Sequence, residues 1–79
     1  MSLSSAAIML VIQQTVDYLG EKYACLPHER QTSLCLQDIH SAMRQQWDIV
    51  SHAALAGDLP LTKTTCRQLI AAYRLHLQW

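Results

Sequence analysis

Phenylalanine is absent from this chain of 79 residues, which also contains only two glycines, two prolines and three cysteines. Two glycines are too few for a glycine-rich loop that binds phosphates. Three cysteines, an odd number without a disulfide spacing pattern, do not make the framework of a disulfide-stabilised domain. No segment alternates apolar and polar residues for long enough to predict a β-strand. These absences point away from β-sheet folds, disulfide scaffolds and phosphate-binding loops.

Charge is also scarce, because charged residues make up 15% of the chain and the formal net charge is zero. Soluble domains typically carry about 25% charged residues, so polar cover for the outside is limited here. Since 51% of the residues are apolar, we expect a second copy of the chain or a larger protein to cover part of this surface. Zero net charge argues against a dedicated nucleic-acid-binding protein, which depends on neutralising phosphates.

The N-terminal region shows the pattern of neither a secretory signal nor a membrane span. Its apolar run, residues 6–12, has no basic residue before it and is much shorter than the roughly 20 residues that cross a bilayer. Free thiols are typical of reducing compartments. The sequence therefore predicts a cytoplasmic protein without membrane association.

Apolar residues recur at helical spacing in three segments that are separated by two short breaks. Pro27 lies in the first break, and Gly57 and Pro60 lie in the second. The pattern predicts a single domain, residues 1–79, that folds as an all-α, antiparallel three-helix bundle. The expected helices cover residues 5–23, 33–55 and 63–78.

Periodicity also predicts which side chains are buried. Trp47 should anchor the middle of the core, with a partner for its indole N–H. Gly57 can adopt the left-handed conformation that ends a helix, and Thr62 is the expected N-cap of the third helix. The expected stripes are Ile8, Ile12, Val16, Leu19 and Tyr23; then Leu36, Ile39, Met43, Trp47, Val50 and Ala54, widened by Cys35, Ala42 and Ile49; and finally Cys66, Leu69, Ile70, Tyr73 and Leu77.

The first half of the first helix is apolar nearly all round, from Ala6 to Ile12. A helix of this kind is buried on every side, but a three-helix bundle cannot surround it. Met9 and Val11 are therefore candidates for contact with another molecule. The alternative is that a neighbouring loop of the same chain folds over them.

The third helix is basic on an otherwise acidic chain. It carries Lys63, Arg67 and Arg74, and no acidic residue follows residue 58. Spacings of four and seven place these bases on one helix face. Trp79 follows shortly after, and Trp and Arg are enriched among binding hot spots. Arg67, Arg74 and Trp79 thus form a second candidate surface for a protein partner, with fraying of the chain end as the competing interpretation for Trp79.

The residues that form a pattern around the second break are mostly apolar, with two Thr and one Arg: Leu55, Ala56, Leu59, Leu61, Thr62, Thr65, Cys66, Arg67 and Leu69. Residues 54–74 therefore resemble the helix-turn-helix of bacterial DNA-binding proteins, and the basic face would suit phosphate contacts. The segment departs from the motif at Pro60, whose φ is fixed near −65°, where the motif has a left-handed glycine. Gly57 comes three residues too early. The alternative is an ordinary helical hairpin with solvated bases.

Catalytic and metal-binding patterns are weak. Four residues of zinc-ligand type occur close together: Cys25, His28, Cys35 and His40. Cys35 and His40 are five residues apart, so on a helix they point about 140° from each other and would not bind one ion. Cys66 lies on the expected core stripe, where a thiol stays protonated and unreactive. We predict no enzymatic activity, no metal and no cofactor.

The sequence as a whole predicts a small protein-interaction module, such as an adaptor, an inhibitor or a chaperone-like regulator, that binds a larger protein or dimerises. The candidate partner-binding residues are Met9, Val11, Arg67, Arg74 and Trp79. Two alternatives stay open. One is a DNA-binding transcriptional regulator that uses residues 54–74, and the other is a structural subunit of an obligate assembly.

Overall fold

A computed structural model describes the backbone of residues 3–77 and the side chains of residues 5–77. These residues form helices and turns and contain no strand, which confirms the all-α prediction. The chain has five helices over this range: α1 Leu3–Ala24, α2 His28–Ser33, α3 Leu36–Ala42, α4 Arg44–Leu55 and α5 Leu59–Leu77.

The long helix expected over residues 33–55 is instead divided into α3 and α4, and the short helix α2 was not expected. Met43 separates α3 from α4 with φ −93° and ψ 8°, in a sparsely populated region of backbone space. The backbone N–H of Met43 still donates to Ile39 O, at 3.0 Å. No proline or glycine lies at this break, so the sequence carries no signal that would locate it.

Helix α5 is the centre of the fold, because α1 and α4 both pack against it. Val11 of α1 and Lys63 of α5 line one pocket, and Tyr23 of α1 and Leu77 of α5 line another. Since both pairs occur in the same order along the two helices, α1 runs parallel to α5. Trp47 reaches Tyr73 although a tight turn joins α4 to α5, so α4 is antiparallel to α5. Helices α1 and α4, in contrast, make little contact with each other.

The core follows the expected stripe of α5 closely. Cys66, Leu69, Tyr73 and Leu77 are buried as predicted, and Ile70 is half-buried. The remaining buried side chains are Ile8, Thr15, Leu19, Ile39, Val50, Ala53, Thr62 and Thr65. The second row expected from Cys35, Ala42 and Ile49 is wrong, since all three are exposed. Cys35 precedes α3 as its N-cap, and Ala42 and Ile49 lie on α3 and α4, whose separation at Met43 changes the faces that the two helices present.

The turn between α4 and α5 has the expected left-handed glycine, with Gly57 at φ 71°. Its N–H donates to Ala54 O at 3.0 Å and the N–H of Asp58 donates to Ala53 O at 3.3 Å, which is the Schellman pattern of helix ends. Asp58 then caps α5, because its Oδ1 accepts a hydrogen bond of 2.9 Å from Leu61 N.

The predicted start of the third helix is therefore wrong by four residues. Helix α5 begins at Leu59, and Pro60 lies in its first turn, where the missing N–H would have no intrahelical acceptor in any case. Thr62 is fully buried inside the helix and does not cap it. Its hydroxyl donates to Asp58 O at 2.7 Å.

Side-chain hydrogen bonds, rather than apolar burial, hold α2 in place, since α2 has no buried residue. Nη2 of Arg30 donates to Leu77 O at 2.7 Å, which places a positive charge at the negative end of α5. The Tyr23 hydroxyl donates a shared hydrogen bond to the carbonyl oxygens of Gln31 and Leu34, at 3.0 and 2.8 Å.

The molecule is elongated and thin, measuring 43 × 20 × 17 Å. A helix with its side chains is about 10–12 Å across, so the two short dimensions hold at most two helices each. Every long helix therefore keeps one side open.

Candidate functional site

The exposed side of α1 carries large apolar residues in its N-terminal half. Met9 is 64% exposed and Leu10 is 58% exposed. Ala6 and Gln13 are also exposed, and these four side chains span about 100° of the helix surface. We call them the α1 outer face. No loop of the described residues folds over it.

Val11 and Val16 occupy different places from those expected. Val11 is half-buried and packs against the core, so it does not belong to the α1 outer face. Val16 was expected in the core but is 43% exposed. The buried side of α1 is narrow because only α5 packs closely on it, which leaves positions on the flank of the stripe in solvent.

A shallow groove between α1 and α5 brings two of the candidate partner residues together. Its lining is Val11, Gln14, Thr15, Tyr18, Lys63, Cys66, Arg67 and Ile70. We call it the α1–α5 groove. Arg74 lies seven residues after Arg67 on the same exposed face of α5, beyond the end of the groove. Met9 lies about 160° around α1 from Val11 and does not line the groove, and Trp79 lies outside the described residues.

The bases beside the groove are available to a ligand of opposite charge. Lys63, Arg67 and Arg74 are exposed, and within residues 5–77 no acidic side chain forms an ion pair with them. Asp17 instead accepts a hydrogen bond of 2.9 Å from Nε2 of Gln13. The other base of this region, Lys22, has its Nζ 5.4 Å from the centre of the Tyr18 ring, on the α1 side.

A deeper cleft lies where α1 does not pack closely on α3 and α4. It has a volume of about 290 Å³, and its lining is Val16, Leu19, Gly20, Tyr23, Leu36, Ile39, His40, Trp47, Tyr73 and Leu77. We call it the central cleft. Helices α1 and α3 form its walls, with four and three of these residues, while Trp47 of α4 and two residues of α5 complete it. The sequence pattern did not predict the cleft. The feature that could have suggested it is Gly20, a glycine inside an otherwise regular helix.

The polar side-chain atoms of the central cleft come from four rings, those of Tyr23, His40, Trp47 and Tyr73. Nε1 of Trp47 donates to the Tyr73 hydroxyl oxygen at 3.4 Å, so the partner expected for this indole is present, although Trp47 is only half-buried. The His40 ring meets the Tyr73 ring edge-on, with 6.4 Å between centroids. Burial raises the pKa of the Tyr73 phenol above its ordinary 10.0, and the hydrogen bond from Trp47 lowers it by a smaller amount.

The described thiols are all free, with no disulfide among them. Cys66 is buried as expected, whereas Cys25 and Cys35 are exposed, so the expectation that Cys35 fills the core is wrong. Among residues 5–77 no three side chains of metal-ligand type come together. No helix within residues 3–77 combines the length and the apolar character that a bilayer crossing needs.

Comparisons of the chain with protein-family models, with curated proteins and with solved structures found no significant match.

Proposed function

We propose that this protein is a small protein-interaction module that acts by binding a larger protein or by dimerising through α1. One observation carries the proposal: Met9 and Leu10, two adjacent large apolar side chains, are 64% and 58% exposed on a helix that its own chain covers on one side only. Contiguous exposed apolar surface of this kind marks sites of association. A cytoplasmic adaptor, inhibitor or chaperone-like regulator fits this surface best.

The surroundings of the α1 outer face indicate what the partner surface is like. Around the same helix lies the α1–α5 groove, where Lys63 and Arg67 flank Val11. Electrostatic complementarity favours a partner whose acidic residues lie beside an apolar centre. A partner that contacts both surfaces would have to extend around α1; in that case Met9 and Leu10 would supply apolar contact, and Arg67 with Arg74 would set the orientation of the partner.

The test combines two charged substitutions with a matched control. Met9→Lys together with Leu10→Lys places two charges on the α1 outer face. The control, Leu55→Lys, places a single charge on α4, where Leu55 is 87% exposed and lies outside the proposed surface. Tagged wild type and both variants are purified from the native cell, and bound proteins are identified by mass spectrometry.

We expect wild type and Leu55→Lys to recover the same partner, and the double variant to lose it. If the chain dimerises instead, sedimentation should show an association in wild type that the double variant lacks. A strict monomer that recovers no partner, or a partner retained by the double variant, would contradict the proposal.

The DNA-binding alternative is supported by the exposed row of Lys63, Arg67 and Arg74, but the packing of α4 on α5 weighs against it. Two helices diverging from Gly57 by about 100° would separate Trp47 and Tyr73 by about 30 Å. Their side chains are instead 3.4 Å apart, the geometry of an antiparallel hairpin. Salt-dependent retention of a DNA duplex that Arg67→Ala abolishes would favour DNA binding over a protein partner.

A further inference from the structure

The central cleft is separate from the surfaces used in the proposed function. Its volume of about 290 Å³ is roughly twice that of an engineered protein cavity that binds benzene. Its walls are apolar, and the polar groups among its lining side chains are the His40 imidazole, the Trp47 indole nitrogen and the Tyr23 and Tyr73 hydroxyls. Apolar walls with a few polar groups are typical of sites for small molecules.

Gly20 keeps one wall of this cleft open. A glycine in the interior of a helix costs about 1 kcal/mol relative to alanine. A Cβ at Gly20 would meet nothing within 4 Å, and its φ is not positive, unlike that of Gly57. Neither close packing nor backbone conformation within the chain thus requires glycine here. The structural effect of the missing side chain is extra room in the cleft.

Tyr73 offers a hydrogen bond to whatever occupies that room. Its hydroxyl accepts from Nε1 of Trp47 at 3.4 Å, which is longer than the usual 2.7–3.2 Å. Tyr23, the other phenol of the cleft, already donates to Gln31 O and Leu34 O. Within residues 5–77 the Tyr73 hydroxyl has no acceptor for its own proton. A phenol hydroxyl can donate one hydrogen bond as well as accept, so the Tyr73 O–H can still donate to a ligand.

We propose that the central cleft binds a small apolar molecule of about ten to fourteen non-hydrogen atoms that carries one carbonyl oxygen. The apolar body lies between α1 and α3, beside Gly20, and the carbonyl oxygen accepts a hydrogen bond from the Tyr73 hydroxyl. The site does not depend on the proposed protein partner, because Met9 and Leu10 do not line it.

Two probes of similar size test the proposal, namely benzylacetone, which has a carbonyl, and butylbenzene, which has none. Binding is followed by the NMR shift of the Trp47 indole N–H, assigned with Trp47→Phe. We expect a saturable shift with both probes. Tyr73→Phe should weaken the binding of the ketone about fivefold, the size of one net hydrogen bond, and should leave the binding of butylbenzene unchanged.

Gly20→Leu supplies the second arm, because it adds a large side chain at a position that lines the cleft. This variant should bind both probes at least tenfold more weakly than wild type. The control Ala71→Leu, at an exposed position of α5 outside the cleft, should bind them like wild type. Circular dichroism checks that each variant is folded. Unchanged ketone binding by Tyr73→Phe, unchanged binding of both probes by Gly20→Leu, or the absence of a saturable shift would each overturn the proposal.

Discussion

Helices α5 and α1 are similar in length, with 19 and 22 residues, yet they differ in how their apolar residues are used. Helix α5 lies between α1 and α4 and buries a continuous stripe from Thr62 to Leu77. Helix α1 packs closely only on α5 and leaves Met9 and Leu10 in solvent. The number of neighbours, rather than apolar content, decides which side chains become core and which remain available for binding.

The largest effect that separates the two helices is expected from truncating one apolar side chain on each. Leu69 is fully buried on α5, and Leu69→Ala should lower the free energy of unfolding by about 2–5 kcal/mol because it leaves a cavity. Met9→Ala should change it by no more than about 0.5 kcal/mol. Urea denaturation measures both.

The same urea denaturation experiment also tests whether the α1 outer face is exposed. If Met9→Ala costs as much as a core truncation, and the cost grows with protein concentration, the α1 outer face is already covered by a second copy. A large cost that is independent of concentration would mean that the chain itself buries Met9, contrary to the exposure described.

The sequence allowed α5 to be predicted better than the middle of the chain. The stripe through Leu69 and Tyr73 follows a regular helical period, and Gly57 ends α4 by a local rule. The segment around α2 and α3 follows no such rule. Its position depends on Arg30, which reaches Leu77 O across 47 residues of sequence, and a contact of that range has no local signature.

The candidate sites were predicted only in part, for a related reason. An all-round apolar segment predicted that the first helix would present unburied residues, and Met9 is exposed, but periodicity alone could not separate Val11, which packs on the core, from Val16, which does not. The central cleft arises because α1 packs closely on neither α3 nor α4. This depends on the relative placement of helices far apart in sequence. Gly20 is the one local sequence feature that could have suggested the cleft.

The next effect concerns the start of α5. Asp58→Ala removes the side-chain oxygen that accepts from Leu61 N at 2.9 Å, and we expect a loss of about 1 kcal/mol in the free energy of unfolding. Asp58→Asn keeps a capping oxygen and should cost only a fraction of that. Asp48→Ala, at an exposed position inside α4, is the matched control and should be nearly neutral in urea denaturation.

A smaller effect of opposite sign is expected on α1. Gly20→Ala should raise the free energy of unfolding by about 0.5–1 kcal/mol, because alanine is the better helix former and its Cβ meets nothing within 4 Å. Gly57→Ala should do the reverse, since φ 71° is unfavourable for a residue with a Cβ. Thermal unfolding of both variants measures the contrast. A loss of stability in Gly20→Ala would show that the cleft is narrower at this wall than described.

The smallest effect is confined to alkaline pH and again distinguishes α5 from α1. Burial on α5 raises the pKa of the Tyr73 phenol above 10.0, so the folded state holds the phenolic proton more tightly than the unfolded state. This contribution to stability is fully present below about pH 10 and is lost as pH rises through the raised pKa of the folded protein. Tyr73→Phe should flatten the fall in stability above pH 10, whereas Tyr18→Phe, at an exposed position of α1, serves as the control and should leave it unchanged. Urea denaturation at a series of alkaline pH values makes the comparison, and equal slopes for wild type and Tyr73→Phe would mean that the Tyr73 phenol is not shielded from water by α3 and α4.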